Sequence, residues 1–234
     1  MTRLILSYLR GDWPKWLLVG VWGPVLSLVV AWLFAASAAR FPGGYDWRYD
    51  VMCRLGYSWV NPEGSVYWSL ALCLVCVMGL PCCGYFRLRL EHVSPRLSAF
   101  ASRSLLAGLA AGFLVGLDGV FLPRLDGLMP KLHEVTATFA FAAIFFGVIG
   151  FWFAMMNWLR SVQHWSIGAC VLLSLLVAVP FTGAMVSQAY LFFVPNNLGW
   201  VGPGWAELGI PVYLSFAFWE WLAIAGIYLC LYFM

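Results

Sequence analysis

Six long apolar stretches run along the chain, and the short segments between them hold most of the charged residues. Each stretch is about 20 residues or longer, the length an α-helix needs to cross a hydrocarbon core roughly 30 Å thick. The runs are continuous rather than alternating, which favours helices over a β-barrel. The pattern predicts an all-α bundle, a single transmembrane domain over 1–234, with helices at 16–39, 65–86, 103–123, 133–157, 167–191 and 209–233.

The first apolar run follows Arg3, Arg10 and Lys15 and contains a possible cleavage site at 36–38. It is longer than a signal-peptide core, so we predict a spanning helix instead. Basic residues concentrate on the cytoplasmic side of membrane proteins. With six helices, eight basic residues fall on the side of the termini and five on the other. This bias predicts a multi-pass protein of the cell membrane with both termini in the cytoplasm.

The third predicted helix carries Ser104, Gly108, Gly112 and Gly116 at four-residue spacing. Small residues in this register let a neighbouring helix approach closely, so we expect this helix at the centre of the bundle. Asp118 lies five residues before Pro123. It is therefore expected inside the helix, about 7 Å from its end.

The segment 40–64 joins the first two helices and is rich in aromatic and charged residues. Flexible linkers do not have this composition, and Trp and Tyr rings favour the membrane interface. We expect an ordered cap on the outer side.

Ionisable residues are costly in hydrocarbon, so those near or within the spans point to function. Asp118 ends the third helix, and His133 and Glu134 open the fourth, so Asp118 and His133 can meet at the outer interface. Arg54 and Arg124 can join them. A local ion pair is one interpretation; a site for a phosphate or glycerol headgroup is another. A third is general-base chemistry by His133 with Asp118.

Glu220 lies between two tryptophans, eleven residues into the sixth predicted helix, with no nearby counter-charge. That position predicts a carboxyl group near the bilayer middle that faces the bundle, a cavity or a partner chain. We favour a hydrogen bond to another helix over a proton relay.

Cofactor chemistry has little support in the sequence. Six of the seven cysteines lie in the spans, where a thiolate is disfavoured, so Cys73 and Cys76 are expected to pack rather than react. His92 and His164 fall in loops away from His133, which argues against bis-histidine haem. We therefore expect no metal and no cofactor, and a net charge of +3 is too small to indicate a nucleic-acid partner.

Several short motifs together resemble a known family. They are Cys53-Arg54-Leu55-Gly56, Asn61-Pro62-Glu63-Gly64, His133 at the start of the fourth helix and Glu220 in the sixth. The layout resembles the bacterial membrane family called domain of unknown function 998, which is similar to the eukaryotic Frag1, DRAM and Sfk1 group. The latter is associated with lipid handling, so the resemblance implies a lipid-facing role for Arg54, Asn61, His133 and Glu220.

The sequence thus favours a membrane protein that binds or processes lipid at the outer interface, and it leaves open whether the protein is an enzyme. The alternative is a non-catalytic subunit that meets other membrane subunits through the sixth helix and the 40–64 loop. A transporter is less favoured, because no internal repeat is visible.

Overall fold

The computed structural model describes residues 7, 10–118, 120–121, 132–162, 165–193, 206 and 209–233. Within these residues the chain is all-helical. The long helices there are α1 (Gly23–Ala39), α2 (Ser65–Leu90), α3 (Pro95–Leu117), α4 (Leu132–Val162), α5 (Ile167–Phe193) and α6 (Phe216–Phe233). A short helix Lys15–Leu17 and a π-helix Leu18–Trp22 lead into α1, and 3₁₀-helices occupy Met52–Gly56 and Val212–Leu214.

Four helical spans in the described residues are long and apolar enough to cross a membrane: Gly20–Ala39, Ser65–Leu90, Pro95–Leu117 and Val135–Ser161. Phe216–Tyr228 is apolar but shorter. These spans indicate a membrane protein, as the apolar runs predicted.

The predicted end of the third helix is wrong. The helix begins at Pro95 and ends at Leu117, so Asp118 is not inside it. Asp118 is the C-cap residue, with an extended backbone (φ −64°, ψ 129°). The reason is local, because Asp-Gly at 118–119 is a turn signal that outweighs the apolar residues after it.

The predicted start of the sixth helix is also wrong. Pro211 has ψ 143°, and Val212–Leu214 form a separate 3₁₀ turn. Ser215 is again extended, at ψ 129°, and α6 begins only at Phe216. Proline lacks the N–H that a helix interior requires, so the apolar run from 209 does not become one helix. Glu220 is therefore the fifth residue of α6.

Helix α3 packs against both α2 and α4, which gives it the central position expected from its glycines. A Cβ on Gly108 would lie 2.6 Å from the backbone nitrogen of Ile144 in α4. A Cβ on Gly116 would lie 2.8 Å from Cys73 Sγ in α2. The small-residue stripe therefore serves two neighbours, and van der Waals packing between backbones holds the three helices together.

The remaining helices pack at the periphery of this three-helix core. Helix α1 packs on α2, and α5 packs mainly on α6. Pro180 lies inside α5, which continues through it to Phe193.

Candidate functional site

Asn61 fixes the 40–64 loop to the end of α1. Its side-chain nitrogen donates hydrogen bonds to the Leu55 carbonyl (3.0 Å) and to Ser37 Oγ (3.2 Å). Its side-chain oxygen accepts one from the Gly64 backbone N–H (3.1 Å). Asn61 is fully buried, and both ends of its amide bond the chain itself. The contacts therefore support a structural role for Asn61.

Arg54 also holds the loop. Its guanidinium pairs with Asp50 and lies 5.3 Å from the centroid of the Phe41 ring. The other oxygen of Asp50 accepts a hydrogen bond from the Asp46 backbone N–H at 3.0 Å. Only about a quarter of the Arg54 side chain is exposed, and its guanidinium is engaged by Asp50 of the same loop.

The structure brings Asp118 and His133 together. His133 Nδ1 is in hydrogen-bonding contact with Asp118 Oδ2, and both side chains are buried, at 3% and 4% exposure. The Tyr57 ring lies edge-on to the imidazole, with centroids 4.9 Å apart, and stacks on Trp59 at 4.4 Å. A carboxylate can orient an imidazole in this way for chemistry, or it can serve to lock two helix ends together.

Arg124 and the side chain of Glu134, which the sequence placed beside this pair, lie outside the described residues. Arg54, which the sequence also offered as a partner for Asp118, pairs with Asp50 instead. The carboxylate of Asp118 pairs with His133.

The sequence predicted Glu220 near the middle of the bilayer, but Glu220 lies near the start of its helix. It lies about 6 Å from the start of α6 at 1.5 Å per residue. Its Oε2 accepts a hydrogen bond of 2.8 Å from the backbone N–H of Met52. Met52 opens the 3₁₀-helix of the loop, so Glu220 caps a turn of its own chain. The sequence predicted a hydrogen bond to another helix of the bundle; the donor is instead the short 3₁₀-helix of the 40–64 loop.

Tyr45 joins α6 to the same loop. Its hydroxyl donates to the Asp50 carbonyl (2.7 Å) and accepts from Trp221 Nε1 (3.1 Å). Burial, and secondarily the nearby Glu220 carboxylate, raise the pKa of Tyr45 well above its usual range. The phenol therefore stays protonated and remains a donor.

A groove of about 590 Å³ runs between α1 and α6 beneath this loop. Apolar side chains dominate its walls, and Tyr45 and Trp47 lie at its loop end. It is lined by Ser27, Val30, Ala31, Phe34, Ala35, Ala38, Tyr45, Trp47, Leu55, Trp221, Ile224 and Tyr228. A long apolar ligand in this groove would lie with one end against the aromatic rings of Tyr45 and Trp47.

The charged residues of the sequence do not mark this groove, because none of them lines it. Its signal was a stripe of small residues on α1: Ser27, Ala31 and Ala35, four apart, with Ala38 close by. Small residues at that spacing predict close packing with a neighbouring helix. Here they face a groove, a difference that sequence spacing does not reveal.

Next to Trp47 the loop exposes a charged pair, Asp46 and Arg48. Arg48 Nε is 2.9 Å from Asp46 Oδ1, and this hydrogen bond lowers the pKa of the Asp46 carboxyl. Arg40 lies over the Tyr67 ring, 4.4 Å from its centroid.

The geometry of the described residues adds no support for metal binding or for thiol chemistry. No group of three His, Cys, Asp or Glu converges within the described residues. Cys73 and Cys76 are free thiols of α2; Cys76 is buried, and both lie against glycines of α3.

Comparison with known protein families, with curated proteins and with solved structures finds no match to this chain. The resemblance drawn from the short motifs therefore stays a prediction.

Proposed function

We propose that this protein crosses the cell membrane six times and binds a lipid at its outer interface, with an acyl chain in the groove between α1 and α6. The observation that carries the proposal is the groove itself, which is apolar along its length and ends at an ordered loop. Binding sites for apolar ligands are typically concave and apolar, with a few polar groups at one end.

The proposed headgroup position follows from the rim. Trp47 lines the loop end of the groove, and the next residue, Arg48, has a half-exposed side chain. An exposed guanidinium can exchange its partner Asp46 for a phosphate oxygen, because exposed ion pairs contribute little. Arg54 and the Asp118–His133 pair would then support the loop from beneath.

Six spans require α5 and α6 to cross as well. Helix α5 has 27 residues, or about 40 Å at 1.5 Å per residue, which exceeds the hydrocarbon thickness. Helix α6 has 18, about 27 Å, and the turn Val212–Leu214 adds to it. An even number of spans agrees with the basic-residue bias and puts both termini in the cytoplasm.

Native mass spectrometry of the purified protein tests the lipid site. Ala35→Trp fills the groove and is expected to abolish most of the lipid adduct retained by the wild type. Ala110→Trp, on an exposed position of α3, adds the same bulk outside the groove and should retain it. If Ala35→Trp retains lipid as the wild type does, the proposal is wrong.

The accessory-subunit alternative relied partly on Glu220 meeting a partner chain. That carboxylate instead bonds Met52 of its own loop, so this support is lost. Native electrophoresis in mild detergent separates the two functions: the lipid-binding proposal expects the chain to migrate alone, and a discrete heteromeric band favours the subunit.

A further inference from the structure

A second cleft lies at the opposite end of the bundle, between α4 and α5. His133 near the start of α4 and Arg160 near its end are about 40 Å apart along the helix, at 1.5 Å per residue. The cleft has a volume of about 530 Å³, and its walls include Trp152, Met156 and Leu175. It is thus separate from the groove between α1 and α6.

The length of this cleft matches one leaflet of a bilayer. Its lining runs from Ile149 to Arg160 on α4 and from Ile167 to Ala178 on α5. Either run is about 16 Å long at 1.5 Å per residue, close to half of the roughly 30 Å hydrocarbon core.

The cleft opens into a polar mouth. A pocket of about 690 Å³ adjoins it and shares Asn157, Arg160 and Ile167 with it. Ser161 and Trp165 complete the polar side of the mouth. Among the described residues no carboxylate lies within ion-pair distance of Arg160. Its charge is available to an anion, and Trp165 is of a residue type that favours the membrane interface.

We infer that this cleft and its mouth form a binding site for one anionic phospholipid of the inner leaflet. The acyl chain lies between α4 and α5, and Arg160 binds the phosphate, with the Asn157 amide as a further hydrogen-bond donor. The occupant must be an amphiphile with a negative head, because the apolar slot and the cation are continuous. A free phosphate would leave the slot empty, and a zwitterionic lipid would bring its own cation close to Arg160.

The test uses the full-length protein in detergent, with native mass spectrometry after addition of dioleoyl phosphatidylglycerol or dioleoyl phosphatidylcholine. The two lipids carry the same chains and differ in net charge. We expect the wild type to retain phosphatidylglycerol about ten-fold better, because the choline ammonium of the other lipid repels Arg160 and offsets part of the attraction of the phosphate. Equal retention of the two lipids, or equal binding of glycerol phosphate alone, overturns the inference.

Two pairs of variants locate the site. Arg160→Ala should lose the preference for phosphatidylglycerol, whereas Arg96→Ala, an exposed arginine at the same end, should keep it. Ala178→Phe fills the cleft and should weaken both lipids, whereas Ala110→Phe should weaken neither. If Arg96→Ala lowers retention as much as Arg160→Ala, the effect is general surface charge and no site exists. Ala35→Trp leaves this cleft open, so the outer and inner sites can fail independently.

Discussion

At the scale of single residues, Asn61 illustrates how one buried amide can hold a loop. Three of its hydrogen bonds join the Leu55 carbonyl, Ser37 and Gly64, so the loop and the end of α1 share one polar anchor. Removing such a side chain leaves buried donors and acceptors without partners, which costs more than the bonds themselves contribute.

Asn61→Ala is therefore expected to destabilise the protein by roughly 3 kcal/mol. Thermal unfolding in detergent, followed by tryptophan fluorescence, measures this change. Glu63→Ala is the matched control, because Glu63 is exposed in the same turn, and it should leave the midpoint unchanged. A midpoint for Asn61→Ala equal to that of Glu63→Ala would contradict the structural role.

The pairing of Asp118 with His133 leads to a second prediction at this scale. Removing one partner of a buried pair leaves an uncompensated polar group, at a cost of about 3 kcal/mol or more. Asp118→Ala and His133→Ala should each destabilise the protein, and the double variant should be little worse than either one. Denaturant unfolding of the four proteins in the cycle gives the coupling energy. Additive effects would mean that the two side chains act independently.

At the scale of helices, the apolar runs predicted the elements well and their ends poorly. The runs located α2, α4 and α5 within a few residues. A helix that crosses the hydrocarbon core needs about 20 apolar residues in a row, and such a run is visible in the sequence. The ends of α3 and α6 depend instead on Asp118, Pro211 and Ser215, which set local backbone angles. The observed ends place Asp118 at the C-cap of α3 and Glu220 in the second turn of α6, closer to the helix ends than the sequence predicted.

The candidate site shows the same division. The meeting of Asp118 with His133 could be predicted, because a short connection brings the ends of α3 and α4 together. The bond from Met52 to Glu220 could not, since a backbone N–H leaves no mark in the sequence. The grooves depend on how far helices stand apart, which small-residue spacing alone does not fix.

Two glycines of the long helices differ in the space around them, and alanine substitutions at the two positions should affect the unfolding midpoint differently. A Cβ on Gly108 would lie 2.7 Å from Ile144 Cγ1 and closer still to backbone, whereas one on Gly168 meets nothing within 4 Å. Gly108→Ala should therefore lower the unfolding midpoint as α3 and α4 are forced apart. Gly168→Ala should leave it unchanged or raise it slightly, because alanine is the better helix former. Both changes are read from one thermal unfolding series; equal midpoints would contradict the close approach.

At the scale of the whole molecule, a six-span topology and a four-span topology place the two ends of α5 differently. In the former they lie on opposite sides of the membrane, and in the latter they lie on the same side. In the proposed topology, with six spans and both termini in the cytoplasm, a thiol at position 206 would face outside and one at 166 would face the cytoplasm. We expect Ala206→Cys to react with an impermeant maleimide on intact cells, and Ser166→Cys to react only after lysis. Both are made in a Cys53→Ser background, because Cys53 is the loop cysteine. Labelling of both positions from the same side would contradict the six-span topology.

The two grooves lie toward opposite ends of the described bundle, and in the proposed topology they would open toward opposite faces of the bilayer. The outer groove lies between α1 and α6 and the inner cleft between α4 and α5, on either side of a core in which α3 packs on α2 and α4. The packed core supplies stability, and the less tightly joined outer helices leave room for ligand.

Photo-crosslinking with a phospholipid that carries a diazirine on its acyl chain tests the outer lipid site most directly. After irradiation and peptide mapping, we expect label concentrated on the groove residues of α1 and α6, including Phe34, Ala35 and Ile224. Label should be several-fold lower on the exposed Leu106 and Leu114 of α3. Equal labelling of the groove and of these outward leucines would show that the groove holds only bulk lipid, and it would contradict the proposed function.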